Sequence, residues 1–263
     1  MTTLSDYQVM YGDLLMGPGT PFDIAPGSLG FLDVDGLRTS DTERARGDGS
    51  WTGEEYASAQ TFPLSLEIYP GHGLSLPAAV RAFLDATTPR TPRELWFKLP
   101  FLEEERVLLG VRVRRRHVPI DMTFGRLVKA EIDLFAPDPA RYGPEMQLKA
   151  VVGIRPRVSG VNQGSLDSWA RFYLSHPQGI DGPVTIRHLE TGSRISIDTR
   201  TGPGEVLVID QEIGTAVVDY VSDRSTALTA RQWWTVSPGA SFTVELEAPA
   251  GTSMDVGWRA SWW

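Results

Sequence analysis

Val128-Lys129-Ala130-Glu131-Ile132-Asp133-Leu134-Phe135-Ala136-Pro137-Asp138-Pro139-Ala140-Arg141-Tyr142 is the stretch on which the reading of the fold turns. Val128, Ala130, Ile132 and Leu134 alternate with Lys129, Glu131 and Asp133, the period of two that a strand with one buried face requires. The run then breaks into prolines around an aspartate, with Gly143 and Pro144 just beyond, so the chain turns and a domain is expected to end. The same alternation occurs upstream at Phe62, Leu64, Leu66 and Ile68. It is read again at Val107, Leu109, Val111 and Val113, which are expected to share one buried face. Between these two strands a helix is predicted: Ser75 caps it, Pro77 suits its first turn, Leu76, Val80, Phe83 and Leu84 share a face, and Thr87-Thr88-Pro89 stops it.

Past the Pro-rich stretch, short strand-like runs recur between turn residues, at Val184–Arg187, Arg194–Ile197, Glu205–Ile209 and Phe242–Leu246. This spacing suits an antiparallel sandwich. The chain is thus read as mainly β. Residues 1–144 are expected to form a β-barrel or sandwich-like domain with one α-helix, and 145–263 a C-terminal antiparallel β-sandwich of jelly-roll or galectin-like type. The 26 glycines and 19 prolines agree with many short strands rather than long helices.

The chemistry of the side chains excludes more than it offers. Without cysteine there are no disulfides, thiolate zinc sites or cysteine nucleophiles. A formal net charge of -8 disfavours a general nucleic-acid binder, which needs clustered Lys and Arg to displace counterions. The one basic cluster, Arg112 to Arg116, lies in a strand pattern and reads as a solvated strand end or a subunit contact. The start, Met1-Thr2-Thr3-Leu4-Ser5-Asp6, has neither the basic stretch nor the apolar core of a signal peptide, so a cytoplasm-like site of synthesis is expected.

Nucleophile elbows, zinc-protease pairs, Walker loops and dinucleotide fingerprints are all missing. Asp33-Val34-Asp35-Gly36 begins like a calcium loop, but Leu37, Arg38 and Arg44 occupy positions where ligands and the turning glycine belong. His72, His117, His176 and His188 are scattered and read as solvated or core-edge residues. Arg46-Gly47-Asp48 matches an adhesion tripeptide inside a run of small polar residues expected for any mobile loop. No catalytic, cofactor-binding or metal residue is assigned, and no cofactor is expected.

Tryptophan is the informative excess, with 8 residues, five of them at Trp233, Trp234, Trp258, Trp262 and Trp263. Trp258 continues the alternation of Met254 and Val256 and is expected to point into the core. Trp262 and Trp263 cannot share one face of a strand, and they are the candidate glycan or subunit contacts.

Specific landmarks then carry a resemblance to a family. Pro21-Phe22-Asp23-Ile24, a turn at Gly36–Asp41, a polar Gly-rich loop, the strand Phe62–Tyr69, a helix, and the closing Ile132–Tyr142 run in one order through the first half. Gly179–Ile186, Glu190-Thr191-Gly192-Ser193, Gly204–Asp210 and Trp234–Gly239 follow in the second. In this order the chain resembles the distal tail proteins of siphophages infecting Gram-positive and actinobacterial hosts. It departs from the commoner pattern where Arg44-Ala45-Arg46-Gly47-Asp48-Gly49 replaces Pro-x-x-His-Gly, and it lacks a large insertion after Tyr142.

The resemblance implies a non-catalytic virion protein at the distal end of a long non-contractile tail, assembled in the host cytoplasm. It implies a homohexameric ring built by the first domain, and a second domain that serves as a docking platform. The implied partners are other copies of the chain, the tail tube protein, the tail-associated lysin or tail tip hub protein and the tape measure protein. DNA enters only as passing cargo, and no membrane is involved. Two rivals remain at this level: a carbohydrate-binding or receptor-binding β-sandwich protein, and a cell-wall hydrolase using some of the 33 carboxylates.

Overall fold

The computed structural model describes residues 3–34, 36–119 and 126–263. The chain divides into two compact units, one ending at Tyr142 and also including Trp263, the other spanning Gly143–Trp262. Both are mainly β, and the one α-helix among the described residues belongs to the first.

In the first unit seven strands run in the order Leu14–Met16, Val9–Tyr11, Arg93–Phe97, Arg106–His117, Val128–Ala136, Gln60–Ile68 and Phe22–Ile24, an antiparallel and nearly closed barrel-like sheet. Its centre is the long ladder that aligns Val128–Ala136 with Gln60–Ile68, so that Ala130 meets Leu66 and Ile132 meets Leu64. Both strands bury every second residue, as their alternation requires. The helix Leu76–Ala86 closes over this face with Leu76, Ala79, Val80 and Phe83 buried and Leu84 partly buried. The Ser75 side chain accepts from the Ala78 amide and Pro77 sits in the first turn, which satisfies the helix start; Thr87 ends it by donating its amide to Phe83.

The strand Arg106–His117 corrects the sequence reading. Val107, Leu109, Val111 and Val113 do not share a face. Leu109 and Gly110 together oppose Glu94 on the neighbouring strand, one residue too many. This β-bulge, with Gly110 at φ +64, flips the phase of everything beyond it. Leu108, Val111 and Val113 therefore enter the main core, while Val107 joins Leu4 and Trp96 in a separate cluster that Leu109 borders. Only the Pro137 side chain comes near the place a Cβ would occupy at Gly110, at 3.6 Å, so Gly110→Ala tests backbone strain rather than a clash. The left-handed conformation costs a non-glycine residue about 1–2 kcal/mol, and urea unfolding should show a loss of that size.

The second unit is a pair of antiparallel sheets around one core. One sheet orders Met146–Val151, Ser253–Trp258, Ala170–Ser175, Val206–Asp210, Thr215–Val218 and Ser222–Asp223. The other orders Arg157–Val161, Ser241–Glu247, Asp181–His188, Arg194–Arg200 and Leu228–Arg231. Val184, Ile186, Ile195, Ile197, Phe242, Val244 and Leu246 supply one inner face; Phe172, Leu174, Leu207, Ile209, Met254 and Val256 supply the other. Trp258 lies in this core with its ring edge-on to Phe242 at 5.1 Å, and Trp234 packs on Phe172 at 5.9 Å.

Candidate functional site

The feature that the sequence concealed is a hairpin. Leu37–Thr39 pairs with Glu55–Ala57, and Thr42–Glu43 pairs with Ser50–Trp51, so residues 37–57 form a two-stranded arm where a turn and a polar loop were expected. Nearly every residue of its four short strands is exposed. The kink between the two pairs is held by the Gly53 amide donating to Asp41 Oδ1 at 3.0 Å and the Ser40 hydroxyl donating to the Glu54 carbonyl at 3.4 Å. At the tip the Arg44 amide donates to the Gly49 carbonyl, with Gly47 and Gly49 at positive φ, which places Arg46-Gly47-Asp48 in the turn. Trp51 is 66% exposed, and the Arg44 guanidinium lies 4.8 Å over its ring. A two-stranded hairpin without a buried face is marginal by itself, so such an arm gains most of its order from whatever covers it.

The root of the arm is held by a buried cation. Arg141 is 1% exposed. Its Nε donates to the Phe31 carbonyl at 2.7 Å, Nη1 to the Pro139 carbonyl at 3.1 Å, and Nη2 to the Asp33 carbonyl at 2.5 Å and to Gln60 Oε1 at 3.1 Å. Gln60, also buried, donates in turn to the Asp33 carbonyl at 2.6 Å. Burial lowers the Arg141 pKa and the Asp33 charge opposes that shift. The loop that leads into the arm is therefore fastened to the end of the domain's last strand. In the segment read as the start of a calcium loop, the Asp33 carbonyl is thus engaged by Arg141 and Gln60; Asp35 lies outside the described residues. Among the described residues no three His, Cys, Asp or Glu side chains are grouped to hold a metal. No helix among them is long and apolar enough to cross a membrane.

The basic cluster is largely spoken for. A second bulge at Val113–Arg115 turns Arg114 and Arg115 outward. Arg114 stacks 3.7 Å over Phe135, and Arg115 reaches Glu131 at 3.3 Å and Asp133 at 4.0 Å. Arg116 donates to the Leu84 and Thr87 carbonyls at 2.6 and 3.1 Å, which caps the helix C-terminus where a cation is favoured.

Trp262, in the second unit, is half-buried, with its ring over Gly143 at a place a side chain there would fill, whereas Trp263, which belongs to the first unit, is 50% exposed. Trp263 lies just beyond the short strand Ser261–Trp262. His188 is more buried than a core-edge reading implies. Its ring lies 5.2 Å from that of Trp234, Nδ1 meets the Thr191 hydroxyl at 2.8 Å, and Nε2 is 3.6 Å from Glu190. Burial pushes its pKa down and Glu190 pulls the other way, with the net shift downward. The folded state therefore favours the neutral ring, and its contribution is complete above the ordinary value of about 6.5 and is lost as pH falls below it. Thermal midpoints should drop between pH 7.5 and 5.5, and His188→Gln should flatten that slope.

No protein-family model matches the chain, and no curated protein matches it in sequence. Solved structures do match in fold. Over 96% of this chain and 98% of the other, the structure is similar to the SPP1 Dit protein, described as a paradigm of the hub adsorption apparatus in phages infecting Gram-positive hosts, with a TM-score of 0.64 at 12% identity. It is also similar to a chain of the phage P2 baseplate in its activated conformation with Ca, with a TM-score of 0.58 at 10% identity over 95% of this chain and 97% of that one. The strontium form of the same baseplate gives 0.56 at 10% identity, with the same coverage of both chains.

Proposed function

We propose that this chain is a structural, non-catalytic subunit of a phage tail: the distal tail protein that forms a hexameric ring between the tail tube and the tail tip or baseplate. One observation carries the reading. Both units, in the same order, follow the fold of the SPP1 Dit protein and of a phage P2 baseplate chain over nearly their whole length. A common fold can host several activities, so the reading rests on agreement across two units and not on either alone.

The exposed hairpin supports it physically. Its pairing edges and the exposed Trp51 ring are the kind of surface that a neighbouring copy in a closed ring covers, which removes the hazard of an open β edge. The tail tube protein, the tail-associated lysin or hub protein and the tape measure protein are the further partners of this reading. With DNA as passing cargo, a net charge of -8 suits a channel that must not hold it.

Mass measurement of the purified chain with negative-stain imaging tests the proposal. Six-membered rings that appear with rising concentration are expected, because assembly follows mass action. A particle that stays a single chain at high concentration overturns it.

A further inference from the structure

We propose that the outer face of the six-stranded sheet in the second unit carries a binding site for a neutral saccharide ring, separate from Trp262 and Trp263. The site follows from the register of three neighbouring strands. Arg171 pairs with Asp210 and Asp210 with Thr215; two residues along, Tyr173 pairs with Val208 and Val208 with Val217. Alternation sends Phe172, Leu207, Ile209 and Ala216 into the core, so these six side chains share the outer face. They form two parallel rows, one polar and one apolar. Together with the turns at Ile213 and Tyr220 they line a trough of about 320 Å³, within the range of roughly 300–1,000 Å³ typical of small-ligand sites.

The rim is built rather than incidental. Tyr220 is 74% exposed and sits at φ +58, directly after Asp219 at φ +48, a backbone state that a bulky aromatic residue rarely adopts. Two hydrogen bonds fasten that turn: the Asp219 amide donates to the Val206 carbonyl, and the Val206 amide donates to Asp219 Oδ1, both at 2.9 Å. The fold thus spends backbone strain to hold an aromatic ring in solvent beside an apolar strip.

The pairing of rows selects the ligand class. A pyranose has one face of C–H groups and an edge of hydroxyls, the complement of an aromatic and valine strip beside a guanidinium, a carboxylate and a hydroxyl. Asp210 is already oriented: Oδ2 accepts from Arg171 Nε at 2.5 Å, and Oδ1 accepts from the Glu212 and Ile213 amides at 3.0 and 3.4 Å. A fixed donor–acceptor pair of this kind reads a diol without moving. An anionic ligand is disfavoured, because the single guanidinium faces two carboxylates, Asp210 and Glu212, the second at 3.8 Å. One such site is weak. Its repetition around a ring would multiply the avidity, and that gain alone rests on the tail reading; the contact itself does not.

The test is saturation-transfer NMR on the purified full chain with a panel of neutral mono- and disaccharides, with inorganic phosphate and poly(glycerol phosphate) as anionic probes. At least one neutral sugar should bind, with one ring face receiving most of the transfer. Its affinity should fall tenfold or more in Tyr220→Ala and in Arg171→Gln. Methyl shifts at Val208 and Val217 in the unaltered protein locate the site without relying on either variant. Absence of binding across the neutral panel, binding of the anionic probes alone, or a bound sugar that leaves the Val208 and Val217 methyls unshifted would each overturn the proposal. A chain that binds sugar but forms no ring would sink the tail reading and leave this one standing.

Discussion

Arg141→Ala is expected to destabilise the first unit by about 3–5 kcal/mol, chiefly through two buried acceptors, the Phe31 carbonyl and Gln60 Oε1, each worth roughly 1–3 kcal/mol when left unpaired. The substitution strips donors from the Phe31, Asp33 and Pro139 carbonyls and from Gln60 in one step. The Phe31 and Gln60 contacts are fully buried and out of reach of solvent, whereas the Asp33 and Pro139 contacts are only partly buried. For a unit of this size the loss corresponds to a fall of about 10 °C in the melting midpoint. Arg141→Lys should recover little, because a single ammonium cannot meet acceptors spread around a planar fork. Calorimetry on the three proteins decides it: a shift under about 2 °C for Arg141→Ala would show that the carbonyls find other partners. A second readout follows from the position of the anchor. Proteolysis within residues 37–57 should accelerate in Arg141→Ala, since the root of the hairpin is released.

Phe172→Ala should cost the second unit about 3–5 kcal/mol, the usual penalty for removing a fully buried aromatic side chain. Phe172 lies on the central part of the six-stranded sheet, wholly buried and against the Trp234 ring. The cavity would border that indole, so the loss is visible as an earlier transition in tryptophan fluorescence. Phe172→Leu keeps most of the volume and should lose about half as much or less. Equal effects of the two substitutions would show that the sheets close over the gap, contrary to the packing described.

Wherever burial follows a period, the residues announced it. Phe62 to Ile68, Val128 to Leu134 and the helix with Ser75 as its cap are as expected, because each has one face in the core and one outside. The failures have a common physical cause, in that the signal depends on a single buried face. The hairpin at 37–57 has no buried face, so Thr42 and Trp51 show no alternation to read. In Arg106–His117 the alternation is present but broken at Gly110, and a glycine flanked by apolar residues gives no hint of which side changes phase. The outer trough had a trace in the sequence. Val206-Leu207-Val208-Ile209 is apolar at four successive positions, which a strand exposed on one side does not need. Arg141 was legible only as part of a landmark, since nothing local marks a cation whose acceptors, apart from Pro139, lie 81 to 110 positions away; Phe31, the farthest, is 110 residues earlier.

The extra residue at Gly110 also limits how this gene can change length. Deleting that one codon would leave Leu109 alone opposite Glu94 and restore an unbroken zigzag, with Leu108, Val111 and Val113 still on the core face and Arg112 still outside. A single-residue insertion before Val111 would instead turn Arg112 toward the interior and Val111 and Val113 outward, whereas point changes at the same positions need only respect size and polarity. Length change in this strand is therefore confined to loss of the bulged residue, and relatives whose alignments place a one-residue gap between Leu108 and Val111 should keep the same order of apolar and charged residues beyond it.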